Sequence, residues 1–184
     1  IKNLLGVEVF AQVFLDNVRT PARWLVGKPN QGWTMAKALL GFERISIGSP
    51  KLAQAGLEKL EQVARQQGLM KDPAFVDRYN QLRLDVADLG STYGRFAEIV
   101  KRGGTLGPDV SMLKILATET YQRLTELTLE AAGDAGGQAG KVDFNGMPID
   151  ILSPFYMARP STIYGGSNEI QRNILSKNVL NLPG

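Results

Sequence analysis

From Phe75 to Val100 the apolar residues Phe75, Tyr79, Leu82, Val86, Leu89, Tyr93, Phe96 and Val100 recur in steps of four and three. On a helix of about 3.6 residues per turn this spacing gathers all of them onto one face. Such a stripe has to be covered, either by other helices of the same chain in an antiparallel bundle or by a second subunit. The segment opens on Asp72-Pro73, an N-cap candidate followed by a proline suited to the first turn, and it ends at Gly103-Gly104.

The helical period extends to either side. Met35, Leu39, Phe42 and Ile45 keep three-and-four spacing, and Leu57, Leu60, Val63 and Ala64 resume it. Between them Pro50 removes a donor and crowds the preceding turn, so it kinks or ends the first stretch. After Pro108-Asp109, the positions Val110, Leu113, Ala117, Tyr121, Leu124 and Ala131 predict a further helix, and a last one is expected from about 168 to 180. Residues 133 to 166 are rich in Gly and Pro and read as mainly loop. The expected fold class is all-α, a four-helix-type bundle.

The N-terminal stretch departs from this pattern. Val7, Val9, Ala11, Val13 and Leu15 alternate along the chain as a strand does, before Asp16-Asn17 and Pro21 stop it. No convincing partner strands follow, and a lone strand leaves its backbone donors and acceptors unpaired. With a chain that starts at Ile1 instead of Met, this predicts a residual strand of a truncated β-domain over residues 1–27. The helical domain is then expected over 28–184.

Composition narrows the chemistry. The chain of 184 residues has no Cys and no His, which removes disulfides, thiolate nucleophiles, the Ser-His-Asp triad and most zinc sites. Catalysis would have to rest on carboxylates, Lys, Tyr, backbone amides or a bound cofactor. The net charge is only +3 and the basic residues are scattered, so nothing points to a nucleic acid. No uncharged apolar run nears the roughly 20 residues of a membrane span, and no signal peptide is visible. A cytoplasmic, water-soluble protein is the expectation.

Two segments can carry chemistry. In Tyr164-Gly165-Gly166-Ser167-Asn168-Glu169, two glycines lead into a helix start whose free N–H groups suit an anion or a developing oxyanion. An ordinary capped helix, with Ser167 or Asn168 as the cap and Glu169 against the dipole, explains the same residues. On the first helix, Glu43 has Leu39, Leu40, Ser46 and Ile47 as near neighbours. A carboxylate desolvated there would have a raised pKa and serve as a general base; a solvated surface Glu is the alternative.

The run Tyr164-Gly165-Gly166-Ser167-Asn168-Glu169-Ile170-Gln171-Arg172-Asn173-Ile174-Leu175, with Leu180-Asn181-Leu182-Pro183 after it, resembles the C-terminal signature of acyl-CoA dehydrogenases. Phe14 to Pro21, Val26-Gly27, Gly32-Trp33 and Glu43-Arg44 resemble that family's passage from its β-domain into its C-terminal bundle. The resemblance implies an FAD enzyme in which a carboxylate removes the α-proton of an acyl-CoA thioester while the β-hydride passes to the flavin. Many members carry that base directly after the signature tyrosine, where this chain has Gly165. The isovaleryl- and long-chain-type branch places it before the arginine of the first bundle helix, where this chain has Glu43.

The resemblance therefore implies Glu43 as the base, with the Gly165 N–H on the thioester oxygen. It implies Arg44 and Tyr164 toward substrate, and Arg65, Ser167 and Glu169 toward FAD. The aromatic that usually follows the arginine at the Arg65 position is absent, and the family's Gln- and Gly-containing flavin segment is poorly matched around Gly133. Electron-transfer flavoprotein as electron acceptor and a homo-oligomer, dimer or tetramer, are implied as partners. An acyl-CoA oxidase of the same fold, a non-catalytic assembly subunit and an unrelated helical interaction module are the alternatives. By itself this stretch of chain is expected to be inactive.

Overall fold

The computed structural model describes residues 1–183, apart from the side chains of residues 37, 38, 40–42 and 44. The chain divides into two compact units, Ile1–Phe42 and Glu43–Gly184. The division falls inside the first helix, α1 (Gly32–Ile47).

In the first unit the expected strand over residues 7–15 does not form. A single bridge joins Lys2 to Glu8, and the rest of the stretch pairs with nothing among the described residues. Val9, Phe10, Val13, Phe14 and Leu15 are all exposed. The alternating pattern marks a segment suited to a sheet, but a ladder needs a second strand to accept and donate its hydrogen bonds.

The second unit holds the core. Pro50 ends the α1 segment as expected and stands at the N-cap of α2 (Lys51–Gln66). In α3 (Pro73–Lys101) the Asp72 carboxylate accepts from the Ala74 N–H at 3.0 Å, and Pro73 occupies a position where no donor is needed. Its stripe faces inward: Phe75, Tyr79, Leu82, Val86, Leu89 and Phe96 are buried in this chain's own core. Of the two possible covers for that stripe, the chain supplies the first.

The central element is α4 (Ser111–Ala131), which packs against α2, α3 and both later helices. It is buried on more than one side, and its threonines are satisfied within the helix: the Thr118 hydroxyl donates to the Lys114 carbonyl at 2.8 Å and that of Thr128 to Leu124 at 2.7 Å.

Residues 133–166 fold more fully than the Gly and Pro content suggested. They contain an antiparallel hairpin, β1 (Lys141–Phe144) and β2 (Met147–Asp150), then α5 (Leu152–Ala158) and a 3₁₀ turn, Arg159–Thr162. Asn145 and Gly146 take φ 52° and 88°, the left-handed pair of a two-residue hairpin turn. The register sets Val142 opposite Ile149 and Phe144 opposite Met147, which gives the hairpin one apolar face for the core. The last helix, α6, covers Asn168–Asn178. Among the described residues no helix is long and apolar enough to cross a membrane.

Candidate active site

The path into the Tyr164–Ser167 loop is set by α4. Gln122 donates through Nε2 to the carbonyls of Ala158 at 3.0 Å and Arg159 at 3.2 Å. The Arg159 guanidinium in turn pairs with Glu126 at 2.5 Å and donates to the Gln122 carbonyl. These bonds fix the end of α5 and the 3₁₀ turn, from which the Tyr164 N–H donates to the Pro160 carbonyl at 3.0 Å.

The loop then turns through two glycines in the left-handed region, Gly165 at φ 65° and Gly166 at φ 83°. A Cβ on Gly165 would run into Cδ1 of Ile47. Ile47 is four residues after Glu43 on α1, so both share one helix face, with about 6 Å of rise between them. The structure thus brings Gly165 against the face that bears Glu43, one turn along.

Below the loop lies a cleft of about 100 Å³ lined by Ile47, Leu52, Tyr121, Met157 and Tyr164 among others. Burial pushes the Tyr121 hydroxyl above the usual phenol range, and Tyr164 nearby adds to the effect.

Glu43 itself is exposed, as is Ser46, and Ile47 is half-buried. The desolvated environment expected for its carboxylate is not supplied by this unit, because apolar neighbours on the same helix cannot cover a side chain that projects outward. The side chain of Arg44 lies outside the described residues. Tyr164 lines the cleft and is half exposed, at 52%.

Ser167 caps α6, its hydroxyl accepting from the Ile170 N–H at 3.4 Å. The Glu169 carboxylate is held below the usual range, first by its own backbone N–H and then by the Ser167 hydroxyl. Both residues therefore serve the helix start. Arg65 belongs elsewhere: it pairs with Glu61, which also accepts from the Tyr79 hydroxyl at 2.9 Å. It stands about 20 Å along α2 from the cleft residue Leu52 and is not gathered into the same site.

Three further residues tie the loop down: Lys114 and Gln171, which the pattern did not single out, and Asn168, a cap candidate that leaves the cap to Ser167. Gln171, buried on α6, donates through Nε2 to the carbonyls of Gly165 at 3.3 Å and Gly166 at 3.5 Å. Asn168 and Lys114 are likewise buried and bonded to each other. The signal available was a Lys within the apolar run of α4, and Asn168 and Gln171 spaced three apart on one face. Among the described residues the Gly165 and Gly166 amides donate to no acceptor.

Residues 30–180 match the family described as acyl-CoA dehydrogenase, C-terminal domain. The acyl-CoA dehydrogenase IpdE1 of Mycobacterium tuberculosis is 31% identical over 188 residues, covering 100% of this chain and 46% of that protein. The chain thus spans about half the length of this curated relative. The solved structure of the Tcur3481-Tcur3483 steroid ACAD has a TM-score of 0.80 at 21% identity, over 92% of this chain and 44% of that one. The ChsE4-ChsE5 complex from Mycobacterium tuberculosis gives 0.58 at 22% identity, over 86% of this chain and 42% of that chain. The structural likenesses agree on the fold, and the match over 30–180 shows that the chain belongs to the acyl-CoA dehydrogenase family and contains its C-terminal domain.

Proposed function

We propose that in the whole protein this chain supplies the base and an oxyanion donor for α,β-desaturation of an acyl-CoA thioester. The observation that carries the reading is the approach of Gly165 to Ile47, on the helix face that carries Glu43 one turn earlier. Position 165 carries no carboxylate, and its left-handed φ of 65° disfavours any side chain there, while Glu43 stands on the adjoining face.

In this reading the Glu43 carboxylate takes the α-hydrogen as a proton. The electrons of that C–H bond form the new double bond as hydride leaves the β-carbon. Charge gathers on the thioester oxygen meanwhile, and the free Gly165 N–H stabilises it as a hydrogen-bond donor. The exposure of Glu43 in this unit leaves its desolvation to substrate and to the remaining polypeptide.

FAD, when bound, takes up the hydride. Toward a phosphate-bearing cofactor the chain offers two separate groups, the exposed Arg65 side chain on α2, away from the cleft and paired with Glu61, and the α6 start at Ser167; Arg65 would reach the cofactor only at a part distant from the cleft. Glu169 would act there through the first turn of α6, in which it stands. Tyr164 at the mouth of the cleft and Arg44 complete the substrate contacts.

We further assign residues 1–27 to the sheet of a β-domain in the whole protein, an oligomeric assembly as its working form, and electron-transfer flavoprotein as its electron acceptor. The exposed apolar segment 9–15 supports the first assignment. The likeness in fold to ChsE4-ChsE5, itself a complex, supports the second.

The test is anaerobic titration of the full-length protein with a panel of straight-chain, branched and ring-bearing acyl-CoAs. Bleaching of the oxidised flavin band by at least one member, with a product two mass units lighter, is expected. A flavin-loaded protein that no acyl-CoA reduces would overturn the reading.

A further inference from the structure

The groups sealed beneath the loop take no part in the chemistry above. Lys114 is fully buried on α4 among Val110, Leu113 and Ala117. Its ammonium donates to Asn168 Oδ1 at 2.7 Å, and among the described residues no carboxylate forms a direct ion pair with it. Asn168 uses its other side-chain atom fully: Nδ2 donates to Thr118 Oγ1 at 3.1 Å and to Glu119 Oε1 at 3.0 Å. Glu119 is held in turn by Arg172 at 2.5 Å. Asn168 is the first residue of α6, directly after the cap Ser167, so this network fixes the helix at the point where the glycine loop enters it.

Burying an ammonium whose neighbouring carboxylates, Glu169 and Glu119, make no direct ion pair with it is costly, and an apolar side chain of the same length would serve stability at least as well. Its worth has to lie in what it orders. One turn after Asn168 comes Gln171, which holds the carbonyls of Gly165 and Gly166. On the other side the Tyr164 N–H is tied to Pro160. The Gly165 amide sits between two anchored points, and it remains free.

We infer that Lys114 and Asn168 are positioning residues, a buried clamp that sets the first turn of α6 and, through Gln171, the free amide of Gly165. Its kinetic consequence rests on the function proposed above; its structural consequence does not.

The decisive variant, in the full-length protein, is Lys114→Met with Asn168→Leu. Removing both partners leaves neither Lys114 nor Asn168 as an unsatisfied buried group, so thermal stability should stay near wild type. Lys114→Met alone leaves the Asn168 oxygen only the long 3.4 Å approach of the Thr118 hydroxyl and should melt earlier. Lys114→Gln keeps a donor and is the conservative control.

Hydrogen exchange of the Ile170 and Gln171 amides, which donate to Ser167 across the first turn of α6, should, without substrate, quicken about tenfold or more in the folded double variant and stay near wild type in Lys114→Gln. Flavin reduction at saturating acyl-CoA should fall about tenfold or more in the double variant while KM changes little. A double variant with wild-type exchange at Ile170 and Gln171 overturns the inference, whatever the chemistry turns out to be. Faster exchange in a protein that no acyl-CoA reduces would uphold the clamp and sink the proposed reaction instead.

Discussion

Gly165 is the residue on which the site turns. Its φ of 65° is a conformation that costs an L side chain about 1–2 kcal/mol, and any Cβ there also meets the end of Ile47. Gly165→Ala should therefore lower stability by roughly that amount or more. In an Ile47→Val background, which removes the atom in the way, the loss should shrink toward the backbone cost alone. Urea midpoints of the four proteins would check this, and a Gly165→Ala protein as stable as the parent would show that the loop is not so constrained. The same strain opposes a glutamate at 165, so a carboxylate cannot simply be moved across from α1. Glu43 could be singled out in the sequence by its place before Arg44, yet its exposure could not, because exposure depends on what lies over the helix face.

Among the elements, α4 does most to assemble the fold. Leu124 is fully buried in it, whereas Leu84 on α3 is 60% exposed. Leu124→Ala should cost about 2–5 kcal/mol, while Leu84→Ala should stay within about 0.5 kcal/mol. Equal effects at the two positions, read from thermal or chemical denaturation, would mean that α4 is not the centre of the core. The helices were legible because a period near 3.6 survives in any buried face: the inward positions of α3 are those its spacing predicted, and Pro50 and Asp72-Pro73 mark real boundaries. The hairpin lies hidden within a stretch whose Gly and Pro content alone predicts loop. Asn145-Gly146 between Val142, Phe144, Met147 and Ile149 is a two-residue turn flanked by alternating apolar residues. The clamp beneath the loop was harder to see. A buried Lys, Asn and Gln are recognisable only once the pairing of α4 with α6 sets them side by side, and sequence separations of 50 to 54 residues carry no periodic signal.

For the whole molecule, the chain spans 46% of the relative IpdE1, and its first unit exposes Phe10, Val13, Phe14 and Leu15 together. The α3 stripe, by contrast, is consumed inside the bundle, so subunit contacts in the proposed oligomer should use other surfaces. In the proposed reaction Glu43, exposed on this unit, would work against a substrate enclosed by the complete protein. Its role is best tested there, by anaerobic rapid mixing of the full-length Glu43→Gln protein with an acyl-CoA that reduces the wild type. Glutamine keeps the size and removes the basicity, so flavin content and acyl-CoA binding should persist while the rate of flavin bleaching falls by at least about a hundredfold. Bleaching within about twofold of the wild-type rate, in a variant that binds flavin and substrate normally, would contradict the assignment of Glu43 as the base.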